Sequence, residues 1–180
     1  DSTSTTALTL GNSIWYEEKL FEYRQNTAYE PYGASYEPTD LYNKTTLEDF
    51  EKCHTINVRA PFILSKELSK NMKKEKWGRI VNIASSSAYQ GFSNGSAYCS
   101  SKHGLLGLSR SMFNELKQKN VRVFCVSPGS SKTKMGKKCK NQNFETFINP
   151  KEIAEYIIHV MCYDKEMIID ESRLSRRIMR

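Results

Sequence analysis

The sequence predicts an α/β protein built on a parallel sheet with helices on both faces. Short β-branched runs at residues 80–84 and 121–126 suit strands that are buried on both sides. Long segments with apolar residues at helical spacing lie before, between and after these runs. Such alternation is typical of βαβ units, whose right-handed crossovers place helices on both faces of the sheet. The predicted fold is therefore a doubly wound parallel sheet.

The first clear helix is predicted over residues 46–74. Thr45 and Glu48 have the spacing of a capping box, in which the threonine hydroxyl accepts a free N–H of the first turn. Apolar residues then recur at helical spacing: Leu47, Phe50, Val58, Leu64, Leu68 and Met72. Pro61 removes one backbone hydrogen bond and should bend the helix. Asn57 lies one turn before that weak point, on the apolar face.

The later elements follow from the same reasoning. They are predicted as a loop over residues 85–96, a helix over 97–119, a strand over 121–126, a helix over 150–162 and a short strand over 167–170. Asn149 and Pro150 suit the N-cap and the first position of the third helix.

Composition narrows the class of protein. The chain has 180 residues, of which 38% are hydrophobic and 26% charged, as expected for one soluble globular domain. It contains no apolar stretch long enough to cross a membrane, and its N-terminus lacks the pattern of a signal peptide. Five cysteines without a Cys-x-x-Cys pair favour reduced thiols and a cytoplasmic location. Three scattered histidines predict no metal site.

The net charge of +7 comes mainly from two basic clusters, at residues 132–140 and 173–180. The ordinary interpretation of such clusters is a solvated surface. Neither cluster is interleaved with aromatic residues, so a nucleic-acid partner is not expected. The lysines of residues 136–149 give a weaker hint of a polar or anionic substrate.

Three residues suggest acid–base chemistry at the expected ligand edge of the sheet. Tyr98 and Lys102 are spaced i, i+4 on the second long helix, and Ser85 follows the strand before it. A lysine ammonium near a tyrosine stabilises the phenolate and lowers its pKa, while a serine hydroxyl can donate to a substrate oxygen. The carboxyl ends of parallel strands bring Ser85 close to Pro128 and Gly129. An isolated Tyr-x-x-x-Lys pair, however, more often belongs to an ordinary amphipathic helix face.

The pair is not isolated, because the segment that contains it and two further segments all resemble the same protein family. Residues 78–112, residues 121–135 and the run Asn57-Val-Arg-Ala-Pro-Phe resemble the short-chain dehydrogenase/reductase family. The order of a strand, Ser85, Tyr98 thirteen positions later and Lys102 four positions after that is the spacing of this family. The resemblance covers residues 44–135 and, more loosely, 148–170. It implies a Rossmann-like, doubly wound sheet.

The resemblance also implies roles for individual residues. Tyr98 would be the catalytic acid/base and would also contact the nucleotide. Lys102 would lower the pKa of Tyr98 and hold the ribose of the nicotinamide. Ser85 would orient and polarise the substrate carbonyl. Asn57 would hold, through a helix distortion, a water molecule in a proton relay to Lys102. The loop residues Pro128, Gly129 and Thr133 would contact the nicotinamide, with Thr133 on its carboxamide.

The reaction implied by the resemblance is hydride transfer between NAD or NADP and a small-molecule carbonyl or secondary alcohol. Members of the family usually pair two long helices across a two-fold axis. Residues 46–74 and 97–119 look like those helices, which implies a homodimer or homotetramer.

The N-terminal part departs from the family. The glycine-rich turn Thr-Gly-x-x-x-Gly-x-Gly is absent, since Gly11 and Gly33 are the only glycines in the first 77 residues, and the Asn-Asn-Ala-Gly strand end is missing. Three explanations stay open: the chain is a fragment, its N-terminal half is replaced in a non-catalytic binding or scaffolding relative, or the first strands are too divergent to identify. The N-terminal half is accordingly predicted to be incomplete or divergent. The chain is predicted to form a single domain over residues 1–180. This domain is divided into a divergent or partial segment (1–45), a catalytic core (46–135), a substrate loop (136–149) and a C-terminal helix and strand (150–180).

Overall fold

The computed structural model describes residues 7–10, 45–137, 139 and 141–177. These residues contain a four-stranded parallel sheet in the order β1-β2-β3-β4. Its strands are β1 (Ala7–Leu10), β2 (Gly78–Ile83), β3 (Val121–Pro128) and β4 (Glu171–Leu174). The parallel sheet predicted from the alternation of elements is confirmed.

The α-helices are α1 (Leu47–His54), α2 (Ala60–Glu75), α3 (Ser96–Leu116), α4 (Lys134–Lys137) and α5 (Pro150–Cys162). A π-helical turn at Thr55–Arg59 joins α1 to α2, and short 3₁₀ turns lie at Ser86–Ala88, Lys117–Lys119 and Phe144–Thr146. Among the helices of the described segments, none combines the length and the apolar character that a membrane span needs.

The central strands are buried because both faces of the sheet are covered. One face packs Ile80, Val121 and Val123 against Met72 of α2 and Leu116 of α3. On the opposite face, side chains from β2 and β3 meet α5: Val81, Phe124, Val126, Ile157 and Val160. The alternation of these contacts along each strand follows the two-residue period of a β-strand. Helices therefore cover both faces, as a doubly wound sheet requires.

The first helix begins with a threonine cap one residue later than predicted. Thr46 is the N-cap, not Thr45, because Thr46 Oγ1 accepts the amide of Asp49 at 3.0 Å. The same hydroxyl donates to the Asp49 carboxylate at 2.7 Å. This reciprocal pair satisfies one of the free amides of the first turn.

The bend expected at Pro61 takes the form of a π-helical turn just before it. Proline has no N–H, so it cannot donate to the carbonyl of Asn57 as an α-helix would require. The chain widens instead, and Ala60 N–H donates to the Thr55 carbonyl, five residues earlier. Asn57 thus lies in the distorted turn, which is the kind of local feature that often occurs at functional sites.

The last strand lies four residues later than predicted. The apolar residues Ile168 and Ile169, which suggested a strand over 167–170, pack against the cluster beneath α5. Pairing with β3 begins only opposite Cys125, whose partner is Glu171. The apolar residues therefore belong to a packed segment that precedes the strand, and not to the strand itself.

Most of the predicted segment 1–45 lies outside the described residues. Its described part includes β1, which pairs with β2 from Ala7↔Arg79 to Leu10↔Asn82. This strand was not predicted, because its run of four residues is too short to give a periodic signal.

Candidate active site

Ser85 lies immediately beyond the carboxyl end of β2. Its backbone is extended (φ −169°, ψ 162°), and it forms the N-cap of the 3₁₀ turn at Ser86–Ala88. Its hydroxyl accepts the amide of Ser87 at 3.1 Å and donates to the Ser87 hydroxyl at 3.2 Å. These contacts hold the side chain at the sheet edge where ligands of parallel α/β proteins bind.

Tyr98 and Lys102 reach the same edge from the first two turns of α3. Lys102 is buried, and its Nζ donates to the carbonyl of Ile83, the last residue of β2, at 3.0 Å. The same atom lies 5.8 Å from the centre of the Tyr98 ring. The Ser85 hydroxyl lies within hydrogen-bonding reach of the Tyr98 hydroxyl. The structure thus brings Ser85, Tyr98 and Lys102 together.

Burial moves the pKa values of Tyr98 and Lys102 in opposite directions. Burial raises the pKa of Tyr98, with the hydrogen bond from Ser85 opposing it. The pKa of Lys102 is lowered from 10.5 to about 8 because its charged form loses hydration. In this structure burial outweighs the other influences on Tyr98, so its pKa lies above that of free tyrosine rather than below it. Tyr98 therefore holds its proton at neutral pH.

Asn57 reaches α3 from the π-helical turn. Its Nδ2 donates to Ser101 Oγ at 3.0 Å and contacts Cys53 Sγ at 3.5 Å. In the part of the chain that the structure describes, these side-chain bonds go to Ser101 and Cys53 rather than to Lys102 itself. Asn57 is thus placed beside the turn that carries Tyr98 and Lys102, and the helix distortion expected at this residue is present.

The loop after β3 begins at the same sheet edge as Ser85. Pro128 ends β3, and Gly129 N–H donates to the carbonyl of Leu174 at 2.8 Å, which ties the loop to β4. Thr133 is exposed, and its hydroxyl accepts the amide of Gly136 at 3.1 Å. Among the contacts of the described residues, Thr133 forms hydrogen bonds within its own loop and none with Ser85.

The loop then folds back on itself in a way that requires glycine at position 136. A Cβ atom on Gly136 would overlap the carbonyl oxygen of Ser131 and press on the ring of Phe147 at 3.1 Å. Lys132 N–H donates to the Ile148 carbonyl at 2.8 Å, which closes the loop. Its shape is therefore fixed at both ends.

One arginine of the C-terminal basic cluster meets this loop. Arg176 donates to Thr146 Oγ1 at 3.1 Å, and its guanidinium lies 5.2 Å from the centre of the Phe147 ring. This contact joins the C-terminal arginines to the loop that carries Lys132 and Lys137. The meeting could not be predicted from the sequence, because it depends on the position of the chain after β4.

Sequence reasoning also missed Ser101, which connects Asn57 to the candidate site. A serine in a helix usually suggests a solvated face, but Ser101 is fully buried. The signal that could have identified it is its spacing, since Tyr98, Ser101 and Leu105 recur at three and four residues on one face of α3.

The Lys102 side chain has the donors that a hydroxylated ligand needs. An ammonium group carries three N–H donors. Within the described residues, one of them is taken by the Ile83 carbonyl, which leaves two for a ligand. A buried amine with free donors beside two hydroxyls fits the ribose of a nicotinamide nucleotide at this edge.

Comparison with known proteins identifies the family to which the chain is similar. The family described as short chain dehydrogenase matches residues 32–143. The 3-oxoacyl-(acyl-carrier-protein) reductase FabG of Rickettsia felis is 35% identical over 109 residues, which are 61% of this chain and 45% of that protein. Secoisolariciresinol dehydrogenase of Forsythia intermedia is 40% identical over 105 residues, covering 56% and 38%. This chain thus spans about half the length of the curated relatives it matches, or less.

Solved structures support the same assignment. A 4-hydroxyisoleucine dehydrogenase complexed with NADH and succinate is 27% identical with a TM-score of 0.67, covering 88% of this chain and 72% of that one. The family match extends over more than half of the chain and contains Asn57, Ser85, Tyr98 and Lys102. The fold is that of these relatives, and the chain belongs to the short-chain dehydrogenase family.

Proposed function

We propose that the protein is an NAD(P)-dependent oxidoreductase that interconverts a small-molecule carbonyl and a secondary alcohol. The observation that carries the proposal is the meeting of Ser85, Tyr98 and buried Lys102 at the carboxyl end of β2. Two hydroxyls and an amine so arranged can polarise a carbonyl and deliver a proton to its oxygen.

The proposed roles follow from the protonation states of the side chains. Tyr98, whose pKa is raised by burial, holds its proton at neutral pH and donates it to the carbonyl oxygen. Ser85 donates a hydrogen bond to the same oxygen and so withdraws electron density from the carbonyl carbon. In the alcohol-oxidising direction, Tyr98 takes the proton back. Lys102, with a pKa of about 8, is mostly protonated at pH 7 and adds positive charge beside the phenol.

The nicotinamide nucleotide supplies or accepts the hydride when it is bound. Lys102 would hold its ribose, and Pro128, Gly129 and Thr133 would contact its nicotinamide. Support comes from the free donors of Lys102, from the position of the loop after β3, and from a relative solved with NADH. A metagenomic short-chain oxidoreductase solved with NADP is also similar, at 28% identity and a TM-score of 0.61 over 74% of this chain and 55% of that one. Both nucleotides therefore stay candidates.

Asn57 is proposed to hold a water molecule that relays protons to Lys102. The support is the π-helical turn, in which Pro61 cannot donate to the Asn57 carbonyl. A carbonyl that lacks its α-helical donor can accept a hydrogen bond from water. The relay would return the proton that Tyr98 donates.

The loop over residues 136–149 is proposed to cover the substrate. The chain leaves β3 at the candidate sheet edge through Pro128 and Gly129, and contacts of Gly136, Phe147 and Ile148 fold the following loop back on itself. Its lysines favour a polar or anionic substrate.

A homodimer or homotetramer is proposed through the two long helical segments, α1–α2 and α3, and the outer face of α1 and α2 supports it. Exposed Phe50 and Phe62 line a groove of about 730 Å³ there, together with His54 and Val58. Exposed aromatic residues on a helix face favour association with another apolar surface. A monomeric mass by light scattering at micromolar concentration would overturn this proposal.

A cytoplasmic location is proposed from the cysteines. Cys53, Cys99 and Cys125 are buried as free thiols, which suits a reducing compartment.

The experiment that tests the function is carbonyl reduction by the full-length protein. A panel of ketones and aldehydes is offered with NADH and with NADPH, and nucleotide oxidation is measured by absorbance. Turnover is expected with at least one pair and is expected to be lost in Tyr98→Phe and strongly reduced in Ser85→Ala. A Tyr98→Phe variant with wild-type turnover would show the proposed role of Tyr98 to be wrong.

A second candidate is a non-catalytic binding or scaffolding relative. It is favoured by one observation, the lack of a glycine-rich phosphate-binding turn in the first 77 residues. Nucleotide titration of residues 1–180 separates the two candidates, because tight binding of NADH or NADPH would exclude the second.

A further inference from the structure

Three buried polar side chains join the π-helical turn region to α3 beside the candidate site. Asn57 Nδ2 donates to Ser101 Oγ at 3.0 Å and contacts Cys53 Sγ at 3.5 Å. The Cys53 thiol lies 3.4 Å from Ser101 Oγ. Ser101 is 0% exposed, Cys53 1% and Asn57 6%. Each member of the cluster therefore contacts the other two in the buried interior.

Ser101 uses the full hydrogen-bonding capacity of its hydroxyl. A serine hydroxyl has one donor and two acceptor sites. Its proton goes to the backbone carbonyl of Tyr98 at 2.8 Å, which leaves both acceptor sites for Asn57 and the Cys53 thiol. One side chain thus links the distorted turn to the backbone of the proposed proton donor.

The same turn of α3 is held on its other side by β2. Lys102, the next residue after Ser101, bonds the carbonyl of Ile83 at 3.0 Å. Further along the helix, α3 approaches the π-helical turn so closely that a Cβ on Gly104 would lie 3.2 Å from Val58. The turn from Tyr98 to Lys102 is therefore positioned between the end of β2 and the π-helical turn.

We propose that Ser101 is a positioning residue for the reaction, and this rests on the proposed function. Its hydroxyl sets the turn that carries Tyr98 and Lys102 against the π-helical turn that carries Asn57. Ser101 does not touch substrate or nucleotide; it acts through the placement of these three side chains. A displacement of about 1 Å at a reacting group can lower a rate by about 100-fold.

The test is Ser101→Ala in the full-length protein, with Ser109→Ala as its matched control. Ser109 is also buried on α3, donates to the Leu105 carbonyl at 2.7 Å and accepts from Asn82 Nδ2 at 2.9 Å. Both variants remove a hydroxyl and leave a buried asparagine amide without its serine partner. They differ in their distance from Tyr98 along the helix.

Ser101→Ala is expected to lower kcat by about 10- to 100-fold with the KM for nucleotide changed less than about 3-fold. Ser109→Ala is expected to keep kcat within about 3-fold of wild type, although both variants lower the Tm. In the background of Asn57→Ala, the further change Ser101→Ala should have little additional effect on kcat, because the two act as one unit. Equal kcat values for the two serine variants would overturn the proposal.

Hydrogen exchange provides a readout that does not need turnover. The amides of residues 55–59 should exchange at least about 10-fold faster in Ser101→Ala than in wild type, and Ser109→Ala should leave them unchanged. If the wild type reduces no carbonyl, the proposed function is wrong, and the positioning of the turn by Ser101 is decided by exchange alone. Unchanged exchange at residues 55–59 would then contradict it.

Discussion

At the scale of single residues, burial decides the protonation of the candidate site. It raises the pKa of Tyr98, against the effect of the Ser85 hydrogen bond, and it lowers the pKa of Lys102 to about 8. Both side chains carry their protons at pH 7, although for Lys102 the margin is small. These are the protonation states that the proposed donation of a proton to a carbonyl oxygen requires.

The pKa of Lys102 predicts how stability depends on pH. Because the pKa is about 8 in the folded chain and 10.5 in the unfolded chain, the unfolded state binds more protons between these values. The free energy of unfolding of the wild type should therefore rise with pH across this window, relative to Lys102→Met, by about 3 kcal/mol. Urea denaturation of both proteins from pH 7 to pH 11 measures the difference. A difference that stays constant over this range would show that Lys102 is not desolvated.

The residues of the candidate site differ in how far the sequence could predict them. Tyr98 and Lys102 share a helix face by spacing alone, and Ser85 follows from the end of an apolar strand. Their assignment to catalysis still depends on the resemblance to a family. The sequence analysis did not identify Ser101, because its proposed role depends on a contact with Asn57, 44 positions earlier. A contact between residues so far apart in the sequence leaves no local pattern.

At the scale of elements, the contact between α3 and the π-helical turn depends on the absence of a side chain. Gly104 faces Val58 closely, whereas nothing lies within 4 Å of a Cβ built on Gly107, one turn later. Two glycines of the same helix therefore have opposite surroundings, and this provides a matched pair of substitutions.

Gly104→Leu should force the two elements apart and lower the free energy of unfolding by about 1–3 kcal/mol. Gly107→Leu should be neutral or stabilising by up to about 1 kcal/mol, since leucine has the higher helix propensity. Chemical denaturation of both variants checks the prediction. If Gly104→Leu is as stable as Gly107→Leu, the two elements are not in the contact described.

The sequence predicted best the helices and strands that have one hydrophobic periodicity and recognisable signals at their ends. Helix α3 was expected over 97–119 and lies at Ser96–Leu116 with a 3₁₀ extension, and α5 begins and ends where Asn149, Pro150 and the apolar pattern placed it. The π-helical turn was expected only as a bend, because proline identifies a missing donor but not how the chain responds. The strand β4 was misplaced because tertiary packing, not pairing, explains the apolar run before it.

At the scale of the whole molecule, the two ends of the sheet carry different polar groups. The carboxyl ends of the strands hold the candidate site. At the amino ends, Arg79 and Arg122 are direct neighbours on β2 and β3, and both are buried. Asp164, after α5, bonds Arg79 at 3.0 Å and Arg122 at 2.7 Å. One carboxylate thus balances two buried cations.

Asp164→Asn should lower the free energy of unfolding by about 1–3 kcal/mol, because it leaves two adjacent guanidinium groups without a counter-charge. The effect is smaller than for a fully buried pair, since the Asp164 side chain is 60% exposed and partly screened. The control is Glu67→Gln, which removes the exposed pair between Glu67 and Lys70 and should cost at most about 0.5 kcal/mol. Thermal and urea unfolding compare the two. Equal and small losses of stability in the two variants would show that Asp164 does not stabilise Arg79 and Arg122 in the folded protein.

The global arrangement was the most predictable feature, because a parallel sheet follows from the alternation of elements alone. The contact of Arg176 with Thr146 and Phe147 and the pairing of Arg79 with Arg122 were not predictable. Each depends on strand register or on the path of the chain after a strand, and neither leaves a trace in local composition.

The central claim is that Tyr98 donates the proton in a nicotinamide-dependent carbonyl reduction. The most direct test compares Tyr98→Phe with Tyr89→Phe in the full-length protein, because both remove one partly buried phenol hydroxyl near the same sheet edge. Tyr89 is the matched control, since its hydroxyl bonds Glu171 at 2.8 Å rather than Ser85. We predict that kcat falls by about 100- to 10,000-fold in Tyr98→Phe, with a much smaller change in nucleotide affinity, and by less than about 3-fold in Tyr89→Phe. Equal turnover in the two variants would contradict the claim.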